Sequence, residues 1–191
     1  MQLILASASP RRQELFKMLK LDFVAIPSNA EEDIAPCEPW DYVCKLAELK
    51  AQSVKRGRRG CCVVGCDTVV YLDGEIIGKP RDEGDAYGIL SKLSGRTHAV
   101  YTGLSVVTDE RSITQYDRTD VTFCKLSDEE ILRYIATGEP MDAAGAYGMQ
   151  GVGGVFVEKI DGCSFTVIGL PVPKLYRALL SVGIDAVFPQ I

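Results

Sequence analysis

Histidine and tryptophan are nearly missing from this 191-residue chain, which has one of each. His98 has no partner histidine, and the seven cysteines contain no Cys-x-x-Cys, so ordinary zinc spacings are excluded. Positive charge is also short: the net charge of −5 argues against stable nucleic-acid binding and makes any cluster of arginines a local feature. There is no low-complexity tract, no repeat and no apolar run long enough to span a bilayer. The first apolar run is too short for a signal peptide and has no basic residue before it. Cys37, Cys44, Cys61, Cys62, Cys66, Cys124 and Cys163 are odd in number and scattered, some of them within apolar strands. They are expected to be reduced, mostly buried thiols of a cytoplasmic protein.

The remaining composition, 47% hydrophobic and 25% charged, suits one well-cored mixed α/β domain over residues 1–191, with no Pro/Ser/Gly linker between separate cores. Apolar Leu3 to Ala6 predicts a strand, and Ser9-Pro10 then predicts the start of a helix over about 9–20. A short strand from Phe23 to Ile26 and a polar stretch from Asn29 to Pro39 follow. Val43, Leu46, Ala47, Ala51 and Val54 form a helical stripe. Cys61 to Leu72 reads as a central strand closed by the turn Asp73-Gly74 and a return strand. Ala86, Ile89, Leu90 and Leu93 mark another helix, and residues 96–107 and 111–124 a long hairpin. Ser127 and Glu130 make a capping box. A second hairpin is expected to turn at Asp161-Gly162, and a last helix runs from about Pro171, with Gly183 at its end.

Several of these segments carry chemistry. Ser9, Arg11 and Arg12 stand at the mouth of a helix, where free N–H groups and guanidiniums favour an anion, most plausibly phosphate. Asp67 interrupts an apolar strand. Either it meets a cation, a donor set or a metal, or the strand ends at Gly65 and Asp67 opens a loop. Glu31, Glu32 and Asp33 alone read as a solvated face; beside Asp67, one of them would complete an oxygen-ligand site for Mg²⁺ or Mn²⁺. Lys50 lies on the apolar stripe, either snorkelling outwards or reaching into a cleft. Lys79, in Gly78-Lys79-Pro80, suits either phosphate contact or plain surface.

The glycines from Gly145 to Gly154 match neither a dinucleotide fingerprint nor a phosphate loop. They permit close backbone approach to a ligand, with Tyr147 offering a ring and Gln150 a donor–acceptor pair for a base edge; a tight surface turn is the plainer alternative. His98 has no nucleophile beside it and reads as structural.

Together these segments resemble the Maf family of nucleoside triphosphate pyrophosphatases. The resemblance runs nearly end to end: Ser7-Ala8-Ser9-Pro10-Arg11-Arg12, Glu31-Glu32, Leu46-Ala47 with Lys50-Ala51, Gly65-Cys66-Asp67-Thr68, Gly78-Lys79-Pro80, Ser94 to His98, Glu139-Pro140-Met141-Asp142, and Gly145 to Gly151. It implies a single elongated α/β domain, with a mixed twisted sheet, flanking helices and a deep central cleft, often dimeric. It implies hydrolysis between the α- and β-phosphates of a nucleoside triphosphate. Asp67 matches the family's proposed general base, and Arg11, Thr68 and Gln150 match positions tied to substrate choice. The Gly-Ala-Tyr-Gly-x-Gln-Gly form resembles the subgroup acting on dTTP and UTP. A 7-methyl-GTP specificity is the alternative within the enzyme class, and a nucleotide-binding regulator of septation the alternative outside it. Ala143 stands where that subgroup usually carries lysine, and Cys66 where alanine is usual.

The chemistry expected on this basis has Glu32 and Asp67 holding Mg²⁺ or Mn²⁺ against the triphosphate. Asp67 takes a proton from the attacking water, while Ser9, Arg11, Arg12, Lys50 and Lys79 grip the phosphates. The partner is a nucleotide, with neither nucleic acid nor membrane involved.

Overall fold

The computed structural model describes residues 1–185. Strand β1 (Gln2–Leu5) runs into helix α1 (Pro10–Lys17) through a junction shaped by two serines. Ser7 Oγ accepts a hydrogen bond from the Ser9 N–H at 3.1 Å, and Ser9 Oγ accepts one from the Arg12 N–H at 3.5 Å. Pro10 occupies the first turn, where its missing N–H has no bond to lose. The helix is shorter than the predicted 9–20, because Met18 caps it and Lys20 takes a left-handed φ of 53°.

Strand β2 (Phe23–Ala25) pairs parallel with β1, and β1 pairs parallel with β3 (Cys61–Leu72). Helix α2 (Pro39–Lys55) links β2 to β3 and buries Val43, Leu46, Ala47, Ala51 and Val54, the stripe read from the sequence. After the turn Asp73-Gly74, both residues of which have positive φ, β4 (Glu75–Ile77) returns antiparallel to β3. Helix α3 (Glu83–Leu93), strands β5 (Thr97–Val107) and β6 (Ser112–Phe123), and helix α4 (Asp128–Ile135) come next, α4 with the expected capping box. Strand β7 (Val157–Asp161) and helices α5 (Ser164–Ile168) and α6 (Val172–Ser181) complete the order, and Gly183 follows α6 at φ 80°. The result is a seven-stranded mixed sheet of order β2-β1-β3-β5-β6-β7, with β4 on β3, flanked by helices.

The predicted hairpin at Asp161-Gly162 is not formed. Strand β7 pairs with β6, and the chain then enters α5. Thr119 decides this: its hydroxyl accepts from the Cys163 N–H at 2.9 Å and donates to the Cys163 carbonyl at 3.0 Å, turning the chain into a helix.

The chain forms two compact units. The first comprises Met1–Asp67, Thr102–Asp117 and the chain from Gly169; the second comprises Thr68–Tyr101 and Arg118–Ile168. The first has an apolar cluster of Ile4, Ala6, Ala51, Val54, Cys61, Val63 and Val107. The second is built around residues such as Val70, Leu90, Phe123, Ile131, Tyr147 and Phe156. Among the described residues, no helix is long and apolar enough to cross a membrane.

Within the first unit, α2 lies directly on the sheet at two glycines. A Cβ on Gly65 would overlap the Ala47 carbonyl and come within 2.8 Å of the Ala51 nitrogen. One on Gly103 would overlap the Val43 carbonyl and come within 2.9 Å of the Cys44 nitrogen. Both neighbours are helix backbone, which cannot step aside as a flexible side chain can. Gly65→Ala is therefore expected to destabilise the protein by about 3 kcal/mol through overpacking, measured as a lower urea midpoint with an unchanged slope.

Candidate active site

Side chains alternate along a strand, so Asp67 projects from β3 on the same face as Gly65, towards α2. Lys50, in the penultimate turn of α2, meets it there. Lys50 Nζ donates to Asp67 Oδ1 at 2.6 Å and also pairs with Glu32 Oε1 at 2.9 Å. The side chains of Lys50 and Asp67 are only 14% and 13% exposed, against 50% for Glu32, so the lysine–aspartate pair is the desolvated part of this triad. Of the two sequence alternatives for Asp67, the buried carboxylate is the one found, because β3 continues to Leu72. Lys50 points inward to the carboxylates.

The oxygen-only donor set of Glu32 and Asp67 suits a hard divalent cation that completes its shell with phosphate oxygens and water. That both carboxylates already converge on one ammonium supports the fit. Among the described residues, no group of three or more His, Cys, Asp or Glu side chains is arranged to hold a metal ion.

At the mouth of α1, Arg12 Nε donates to the Gly169 carbonyl at 2.9 Å, tying the helix to the turn before α6. Arg11 is half-buried in the same helical turn. Ser9 serves as the N-cap, and Ser7, buried, closes the turn before it.

Tyr42 was not among the residues read from the sequence. It lies on α2 two turns before Lys50, a spacing that puts Tyr42, Leu46 and Lys50 on one face. Burial, followed by the charges of Asp67 and Glu32, pushes its phenol pKa up, and Lys50 partly offsets them.

Of the cysteines of β3, Cys66 adjoins Asp67, whereas Cys61 and Cys62 lie farther down the strand beside Lys55. Burial pushes the thiols of Cys62 and Cys66 up to about 12. All seven cysteines are free; Cys61, Cys62 and Cys66 are buried and the other four half-buried, so the expectation of mostly buried thiols holds only for β3.

Thr68, Lys79 and Gln150 belong to the second unit. Thr68 is half-buried on β3 and Gln150 is exposed. Lys79 pairs with Asp142 at 3.4 Å, both side chains largely exposed. Tyr147 is not available to stack on a ligand. It is 5% exposed, its hydroxyl bonds His98 Nε2 at 2.9 Å, and its ring packs edge-on against Phe123 at 4.7 Å. Three glycines around Gln150 also differ from expectation: Gly148 and Gly151 approach the side chain of Glu139, and Gly153 that of Tyr134. No sequence spacing announces Glu139 as their partner.

The chain matches the family described as Maf-like protein over residues 2–182. It is 48% identical over 186 residues to a dTTP/UTP pyrophosphatase of Aquifex aeolicus, covering 97% of this chain and 98% of that protein. It is 45% identical over 198 residues to a dTTP/UTP pyrophosphatase of Clostridium acetobutylicum, covering 97% and 100%. A dTTP/UTP pyrophosphatase of Bacillus cereus is 44% identical over 185 residues, covering 96% and 97%. The solved structure of the Staphylococcus aureus Ham1 protein is a more distant likeness, with TM-score 0.48 and 16% identity over 64% of this chain and 72% of that one.

His98, structural as read, gives the second unit a pH dependence. Burial lowers its pKa from 6.5 to about 4, against a smaller opposing effect of Asp120. A folded-state value below the unfolded one means this contribution is complete above pH 6.5 and is lost as the pH falls through 4. Between those limits the protein should lose about 3 kcal/mol more stability than His98→Gln, measured by urea unfolding at stepped pH.

Proposed function

The chain belongs to the Maf family, and from that premise we propose that it is a nucleoside triphosphate pyrophosphatase, hydrolysing dTTP and UTP to the monophosphate and pyrophosphate. The observation that carries this reading is the desolvated Lys50–Asp67 pair with Glu32 on the same ammonium. It combines a base, carboxylates for a cation and a positive charge for phosphate. The relatives' shared name, at 44–48% identity over nearly the whole chain, supports the substrate pair.

In this mechanism Asp67 accepts a proton from the water that attacks the α-phosphorus. The bond from that phosphorus to the α–β bridging oxygen breaks, and pyrophosphate leaves with the bond's electron pair. Lys50 balances the charge of the two carboxylates and of the phosphates. Arg11, Arg12 and Lys79 neutralise phosphate oxygens, and Ser9 fixes the helix mouth that carries the arginines. Glu32 and Asp67 would hold Mg²⁺ or Mn²⁺, which would supply further neutralisation of the phosphates and a more acidic water. Gln150 reads the base edge through its paired donor and acceptor, and Thr68 and Arg11 contribute to substrate choice. The net charge of −5 favours a free nucleotide over nucleic acid as substrate. A single catalytic domain acting in the cytoplasm, as a homodimer, completes the proposal.

The test is pyrophosphate release over a panel of dTTP, UTP, CTP and 7-methyl-GTP, with Mg²⁺, Mn²⁺ or EDTA. Release from dTTP and UTP with either metal, and little with EDTA, is expected; equal release from all four would overturn the role of Gln150. Asp67→Asn should fold and lose about a hundredfold or more in turnover. Near-wild-type rates in that variant would remove Asp67 as the base.

A further inference from the structure

The glycine-rich segment encloses an anion of the protein's own. Glu139, in the short turn Glu139–Asp142 after α4, presents both carboxylate oxygens to it. Oε1 accepts from the Tyr134 hydroxyl at 2.8 Å and from the Gly153 N–H at 3.1 Å, and Oε2 accepts from the Val152 N–H at 2.9 Å. Tyr134, 2% exposed on α4, extends the arrangement: its hydroxyl oxygen accepts from the Gly148 N–H at 3.1 Å. A Cβ on Gly151 would collide with the Glu139 carboxylate, and one on Gly153 with the Tyr134 hydroxyl. Gly151 and Gly153 thus face internal side chains that come too close for a Cβ unless the clamp shifts.

Gln150 lies inside this clamp. The Gly151 N–H donates to the Gly148 carbonyl at 3.1 Å, closing a four-residue turn in which Gln150 is the third residue. Both arms of the turn are pinned, Gly148 through Tyr134, and Val152 and Gly153 through Glu139. A segment with four glycines among residues 148–154 and an exposed tip at 150–152 loses much conformational freedom on ordering, and bonds to a charged acceptor are strong enough to hold it. A side chain that discriminates between bases must be presented in one position, so what holds the turn also holds the selectivity.

We infer that Glu139, acting with Tyr134, is the positioning residue that fixes the presentation of Gln150 and thereby the preference for one class of nucleotide base. This rests on the reading of Gln150 as the residue that reads the base. Glu139 touches no reacting atom; it acts through the turn.

The experiment measures kcat and KM for dTTP, UTP and CTP in wild type, Gln150→Ala, Glu139→Gln, Tyr134→Phe and the Gln150→Ala/Glu139→Gln double variant, with thermal unfolding recorded for each. Glu139→Gln keeps one acceptor oxygen but sets an amide NH₂ against a backbone N–H. It should raise KM for dTTP and UTP by about tenfold and shrink their preference over CTP by a similar factor, with kcat changed by less than about threefold. Tyr134→Phe should shift the preference in the same direction. In the Gln150→Ala background, Glu139→Gln should add nothing to the loss of preference, because the residue it positions is gone. A uniform fall in kcat with the preference intact, or additive effects in the double variant, would overturn the inference and leave the reading of Gln150 standing. Unchanged preference in Gln150→Ala would remove that reading and the inference with it. If Glu139→Gln does not fold, Tyr134→Phe decides, and a wild-type preference there overturns the inference.

Discussion

A carboxylate set among apolar residues in a strand is tolerable only if a cation meets it, and Lys50 is the cation that meets Asp67. The first unit is arranged to make that meeting possible. Gly65 and Gly103 let the backbone of α2 rest on the sheet, which brings the lysine down to the aspartate. The same ammonium then draws Glu32 in from the loop after β2. Removing Lys50 would leave the desolvated Asp67 carboxylate without this counter-ion, so the packing of α2 and the electrostatics of the site are one constraint.

The second unit solves a different problem with the same kind of interaction. There a carboxylate organises backbone N–H groups instead of an ammonium, and the glycines that suggest a ligand cradle are occupied by Glu139. Tyr147, which invites a stacking role, belongs to the apolar cluster with Phe123. Gln150 is exposed at the tip of the segment, beside Gly151 and Val152. One unit thus carries the charge triad and the other a rigid turn with a single exposed amide.

Much of this was legible in the sequence where the determinants are local. The bounds of β3 follow from an apolar run that Asp67 and Thr68 interrupt without ending, and the starts of α1 and α4 from Ser9 and from the Ser127/Glu130 box. The direction of Lys50 was not legible, because a stripe position is compatible with snorkelling; contacts with glycines on two strands distant in sequence decide it. The turn at Asp161-Gly162 was misread for a similar reason. A glycine there fits a hairpin equally well, and the deciding hydroxyl, Thr119, is 44 residues away from Cys163. Glu139 could be quoted as part of a resemblance, but its bonds to three backbone N–H and hydroxyl donors exist only in the fold.

The free thiols of β3 turn the strand into its own reporter. At neutral pH, groups held near 12 carry almost no thiolate, and burial denies reagents access to what there is. An alkylating reagent therefore meets Cys37, Cys44, Cys124 and Cys163 first, while Cys62 and Cys66 wait until the strand opens. Because Cys66 immediately precedes Asp67, its rate of modification clocks how often the chain exposes the aspartate's own stretch of backbone.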